Sequence, residues 1–171
     1  SDLKMKQIVL SILVENTPGV LSRVAGLFTR RGYNIDSITA SPTQNEKFTR
    51  MTIAVSGDDR ILMQIKNQLS KLEDVVKICE LQEKESVCRE LILIKVRASK
   101  SEKSEVLSIA DIFRAKVVDV AKDSMMMELT GNLNKIEAFV NLLKDFEILE
   151  LVRTGLTGLS RGEDTEVSFK L

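Results

Sequence analysis

One order of apolar periodicities occurs twice in this chain, and that doubling restricts the fold more than any other feature. In the first half, Ile8 to Val14 is an almost continuous apolar strand, as a well-covered sheet position requires. Val20, Leu21, Val24, Leu27 and Phe28 then recur at helical spacing, and Gly32 stops that helix. A second strand follows over Tyr33 to Ala40, with a turn around Pro42 to Asn45. Met51, Ile53 and Val55 alternate as a third strand. Gly57, Asp58 and Asp59 open a second helix whose stripe is Ile61, Leu62, Ile65, Leu69 and Leu72, and Val75 to Leu81 closes the half. The polar stretch Gln82 to Glu90 reads as a linker. The rhythm then returns. Leu91 to Val96 is a strand, and residues 101–115 form a helix carrying Val106, Ile109, Ala110 and Phe113. Val117 to Val120 and Met125 to Thr130 are strands. Asn132 or Asn134 caps a helix with the stripe Leu133, Ile136, Phe139, Val140 and Leu143, and Ile148 to Val152 is the last strand.

Each half therefore reads β-α-β-β-α-β. The expected class is α+β: two tandem ferredoxin-like domains, each an antiparallel sheet with its helices on one face. The expected division is residues 1–82 and residues 83–171, the second domain carrying a polar tail. With 43% hydrophobic residues, both halves can form cores. The bare face of each sheet needs a cover. RNA is a poor candidate, because aromatic residues make up 4% and the 25 basic and 25 acidic residues cancel. A second protein subunit is the more natural cover. The run Met125 to Met127 favours core packing over an interface role. The Gly-rich tail Thr154 to Gly162 lacks helical or strand period; it is either a contact arm or a flexible terminus, and its composition favours the terminus.

Much chemistry is excluded. There is no histidine, so the commonest general base, metal ligand and nucleophile partner are all missing. Cys79 and Cys88 form no metal-binding spacing. Cys79 falls in an apolar strand and Cys88 in the charged linker, and a disulfide between them is not expected. No Gly-rich phosphate loop is present. No catalytic residue and no metal site is expected. Ser1 to Val14 lacks a signal-peptide layout, and no apolar run reaches the roughly 20 residues of a membrane helix, so a cytoplasmic protein is expected.

What remains is binding. Leu13 to Leu21 takes an apolar strand through Asn16, Thr17, Pro18 and Gly19 into a helix. A helix N-terminus offers unpaired N–H groups and partial positive charge to a carboxylate. Gly19 lets an anion approach the backbone. Pro18 suits the first helical turn, and Asn16 or Thr17 can cap. Turn chemistry alone accounts for the same residues. Asn34 lies at the far end of that helix, so it can meet Asn16 only across two copies of the chain.

The run Val14 to Ser37 resembles the ACT amino-acid-sensing domain and, more narrowly, the small regulatory subunit of acetolactate synthase (acetohydroxyacid synthase). Arg50 to Ile53, Gln64 to Leu72, Arg89 to Leu91, Ile112 to Arg114 and Gly158 to Gly162 extend the likeness, in order, over nearly the whole chain.

The resemblance implies an ACT-type domain over 1–82 that dimerises and binds valine in the dimer interface. The binding positions it implies are Asn16, Gly19, Val20 and Leu21 of one subunit with Asn34 and Ile35 of the other; Ser22 supports the turn. It also implies a catalytic partner, the large subunit. That partner would carry thiamine diphosphate, magnesium and FAD, while this chain holds no cofactor, activates the partner and confers valine feedback inhibition in branched-chain amino acid biosynthesis. Two other readings stand beside it: a free-standing ACT sensor acting on another enzyme or regulator, and a small enzyme, which the missing base, nucleophile and metal cluster disfavour.

Overall fold

The computed structural model describes residues 5–163; the outermost ends of the two expected domains lie outside these. The chain forms two compact units. The first comprises the described residues up to Cys88 together with those from Gly155 onward, and the second is Arg89–Thr154.

The first unit runs β1 (Lys6–Glu15), α1 (Val20–Arg31), β2 (Asn34–Pro42), β3 (Phe48–Gly57), α2 (Asp59–Ser70) and β4 (Val75–Glu80). Its sheet has the order β2-β3-β1-β4, antiparallel throughout. The period-two alternation decides the faces. Leu10, Ile12 and Val14 of β1 and Met51, Ile53 and Val55 of β3 point at the helices. There they pack with Val24, Leu27 and Phe28 of α1 and Leu62, Ile65 and Leu69 of α2. Full burial of a side chain of this size stabilises by about 1.5–3 kcal/mol. Gly32 ends α1 with φ 66°, and its N–H returns to the last turn, as the sequence requires. Asp58 caps α2 by accepting from the N–H of Ile61 at 2.9 Å.

The second unit holds most of β5 (Ser86–Arg97), then α3 (Lys103–Phe113), β6 (Lys116–Val120), β7 (Ser124–Gly131), α4 (Leu133–Leu143) and β8 (Ile148–Arg153), with strand order β6-β7-β5-β8. Met125 and Met127 of β7 are buried with Ile92, Ile94, Phe139 and Leu143, while Met126 alternates to the other face. Asn132 caps α4, accepting from the N–H of Lys135 at 2.9 Å. The architecture is the expected tandem of ferredoxin-like units.

Three features depart from the sequence reading. The stretch 82–90 is not all linker: residues from Ser86 onward already belong to β5, and Cys88 sits in that strand. Alternation is hidden there because the buried positions carry polar side chains, Ser86 and Glu90, instead of apolar ones. Nor is the tail a loose terminus. Residues Thr157–Ser160 form a further strand, β9, paired with β5, and Arg161 N–H donates to Glu85 O at 2.7 Å. The compact units therefore divide at 88/89 instead of 82/83, and the described tail from Gly155 packs with the first unit.

In that position the tail covers part of the first sheet's face away from its helices. Leu13, Cys79 and Leu81 are buried there, with Val9, Phe48 and Cys88 packed against them. Gly155, Leu156 and Gly158 are buried too, and Thr39 Oγ1 donates to Leu156 O at 3.4 Å. A Cβ at Gly158 would lie 2.6 Å from Cys88 Sγ and 2.8 Å from Val87 O, so only glycine fits. Neither Cys79 nor Cys88 is in a disulfide. No helix among the described residues is long and apolar enough to cross a membrane.

Candidate functional site

The loop between β1 and α1 is held from both sides. Glu15 N–H donates to Asp74 O at 2.9 Å and Asn16 N–H to Lys47 O at 2.8 Å. The Asn16 side chain donates through Nδ2 to Glu46 O at 3.0 Å, and among the described residues its Oδ1 is left for another donor. Thr17 Oγ1 donates to Asp74 Oδ1 at 3.0 Å. Arg23, one turn into α1, donates through Nε to Asp74 Oδ2 at 2.5 Å and through Nη2 to Asp74 Oδ1 at 3.1 Å. The same Nη2 reaches Thr17 Oγ1 at 3.2 Å. These bonds fix Glu15 to Thr17 against the start of β4.

The helix start differs from the expected cap. Neither Asn16 nor Thr17 caps α1, since both side chains are committed elsewhere. The N-cap is Gly19 itself, in the left-handed region at φ 80°. Pro18 lies outside the helix, in the turn before it. The result suits an anion better than a side-chain cap would. Val20 N–H makes one long bond, to Thr17 O at 3.3 Å, and the N–H groups of Gly19, Leu21 and Ser22 have no partner among the described residues. The residues Asn16, Gly19, Leu21 and Ser22 are exposed, so this cluster of donors faces solvent with the helix dipole behind it.

The side chains divide in role. Val20 is buried in the core and can offer only its backbone. Leu21 is 50% exposed and presents an apolar surface beside the free N–H groups. Asn34 and Ile35 sit beyond the other end of α1. Asn34 is exposed, and its Nδ2 donates to Asp36 Oδ1 at 2.9 Å; Ile35 packs partly against the core. The 12 residues of α1 span about 18 Å, so one protomer does not bring the two groups together.

The electrostatics follow the bonds. The Arg23 hydrogen bond holds the Asp74 carboxyl below the ordinary carboxylate range, helped by Thr17 and opposed by desolvation. Asp74 in turn raises Arg23 further above its already high value. The charge pair is therefore locked in its ionised form. Sequence reading missed Arg23 and Asp74 as site residues. They are 51 positions apart, and no local periodicity links them.

Among the described residues, no group of histidine, cysteine, aspartate and glutamate could hold a metal ion. Two ferredoxin-like units with a donor-rich surface loop define a binding module of the ACT class. Residues 10–77 match the family model for an AHAS small subunit-like ACT domain, and residues 89–162 match that for the small subunit of acetolactate synthase. The Methanothermobacter thermautotrophicus protein named "Probable acetolactate synthase small subunit" is 51% identical over 158 residues, covering 92% of this chain and 94% of its own. The Haemophilus influenzae acetolactate synthase small subunit is 47% identical over 156 residues, covering 91% and 96%. The crystal structure of the small subunit from Thermotoga maritima superposes with TM-score 0.83 at 40% identity, covering 93% of this chain and 99% of that one. The chain belongs to the acetolactate synthase small subunit family. That membership agrees with the expectation of a non-catalytic, regulatory subunit.

Proposed function

We propose that this chain activates the large, catalytic subunit of acetolactate synthase and makes it sensitive to valine. The observation that supports valine binding is the start of α1. Gly19 caps the helix without a side chain, and three neighbouring N–H groups stand free at the surface. An amino-acid carboxylate matches those donors, with a helix-dipole contribution of about 0.3–1 kcal/mol. Asn16 Oδ1 would accept from the ammonium group. Leu21 would line one side of the pocket for the isopropyl group.

The site is completed by a second copy. Asn34 and Ile35 of that copy would close over the ligand, which makes valine binding and dimer geometry one equilibrium. Ile35 is partly buried, so its contribution is an apolar edge. Inhibition would then be a population shift in the assembly, with thiamine diphosphate, magnesium and FAD residing on the catalytic partner.

The test is acetolactate formation by the cognate large subunit, with and without this chain, across a valine titration. Stimulation that valine reverses is the expected result. Stimulation without valine sensitivity would keep the partner and discard the pocket. No effect at saturating protein would turn the reading to a free-standing ACT sensor.

A further inference from the structure

The face of the first sheet that the tail crosses holds a cavity of about 440 Å³, within the range of small-molecule sites. All its lining residues belong to the first unit. Strand β3 supplies Arg50 and strand β1 supplies Ser11. The register pairs Arg50 with Leu13, so Arg50 reaches Ser11 on the diagonal, where Nη1 donates to Ser11 Oγ at 3.2 Å. Ser11 is 1% exposed, a buried hydroxyl on a central strand, and it accepts this bond from the arginine. Arg50 is partly buried and makes no ion pair among the described residues. Of its five N–H donors, one is committed among the described residues.

Among the described residues, this arginine lacks the carboxylate that would normally accompany it away from bulk water. Among the described residues, the cavity wall around it offers neutral polar groups, from Gln44 and Ser160, and no acidic side chain. Leu81 and Leu159 add an apolar side. We propose that this cavity is a second ligand site, distinct from the α1 loop. It would take a small metabolite bearing a carboxylate or phosphate, with that group on Arg50 and a short apolar body against Leu81 and Leu159. A planar guanidinium already oriented by one hydroxyl suits two-pronged recognition of such an anion.

The tail makes the site more than a surface pocket. Leu159, Ser160 and Gly162 form one wall, and the other walls come from the sheet and the β2–β3 turn. An anion held between them ties the tail to the sheet, so ligand and tail docking are linked equilibria.

The experiment is a titration of the full chain with inorganic phosphate and, separately, with isobutyrate, followed through backbone amide NMR shifts. At least one anion should shift residues 41–44 and 159–162 saturably, with a dissociation constant in the millimolar range or tighter. The preferred anion identifies the head group. R50Q should weaken binding at least tenfold. L159W changes a residue that is 59% exposed, and should block the cavity without disturbing the core. No saturable shift at these residues with either anion would overturn the proposal, as would unchanged affinity in either variant that keeps the native amide spectrum.

Discussion

Arg23 and Asp74 face each other across the first unit with Nε and Oδ2 2.5 Å apart, joining the first turns of α1 to the residue just before β4. Thr17 shares both partners. The donor-rich loop is therefore pre-organised by a charge pair packed beside it. R23Q should weaken valine inhibition while leaving activation intact, and hydrogen exchange at residues 15–20 should accelerate. Exchange unchanged in R23Q would mean that the loop holds its shape without the pair.

The same pair predicts a pH dependence. Asp74 has a folded pKa lowered by Arg23, then by Thr17. A lowered carboxylate pKa means that the unfolded state binds the proton more readily. The stabilisation is complete above the unfolded value of about 3.9 and is lost as pH falls through the folded value. The loop should thus be indifferent to pH near neutrality and loosen only in acid. NMR titration of the Asp74 carboxyl should show a midpoint below the usual aspartate range, and R23Q should move it upward.

Gly19 carries two separate constraints. At φ 80° any L side chain is strained, by about 1–2 kcal/mol. A Cβ there would also lie 3.1 Å from Arg23 Nη1. G19D adds a third effect, since its carboxylate competes both with the ligand and with Asp74 for Arg23. It should abolish valine inhibition in the reconstituted enzyme while activation persists. N34A should weaken valine by roughly 1.5–3 kcal/mol, the loss of a hydrogen bond to a charged group. Full valine sensitivity in both variants would refute the site.

Gly158 tests the tail. G158A forces a Cβ against Val87 O and Cys88 Sγ, and backbone cannot yield as a flexible side chain can. The expected cost is about 1–3 kcal/mol. The sign of success is local: limited proteolysis should cut near residues 155–162 in G158A before the rest of the chain unfolds. Equal protection of the native and variant tails would contradict the packing described.

Glu90 in the second unit is 4% exposed and accepts from Arg153 Nε at 2.6 Å. Removing the arginine strands a buried carboxylate, so R153M should destabilise by about 3 kcal/mol or more. The double change E90L with R153M should recover much of that loss. Chemical denaturation of the three variants measures the coupling, and simple additivity would show that the pair is not a unit.

The repeated apolar rhythm made the fold legible, because burial on one face imposes its period on residues such as Leu10, Ile12 and Val14, or Ile136, Phe139 and Leu143. Gly32, Asp58 and Asn132 announced helix ends through local chemistry. The tail was illegible for the converse reason. Gly155 and Gly158 are there because other atoms come too close for a Cβ, and that closeness is a long-range fact with no period. The helix cap was misread similarly. Asn16 and Thr17 have the right side chains for capping, but Glu46 and Asp74 engage them instead. The carriers of the loop's rigidity, Arg23 and Asp74, looked like ordinary surface charges.

The return of residues 155–163 to the first unit makes that unit discontinuous, with the second inserted into it as an excursion of the chain. A gene cut at residue 82 or 88 would therefore not yield the intact first unit; it would yield one without β9 and with an uncovered patch around Leu13, Cys79 and Leu81. A faithful minimal module needs residues 5–88 and 155–163 rejoined by a short linker. Grafting the second unit between relatives likewise means exchanging an interior segment at two junctions. During synthesis, the first unit cannot be finished until the second has already left the ribosome.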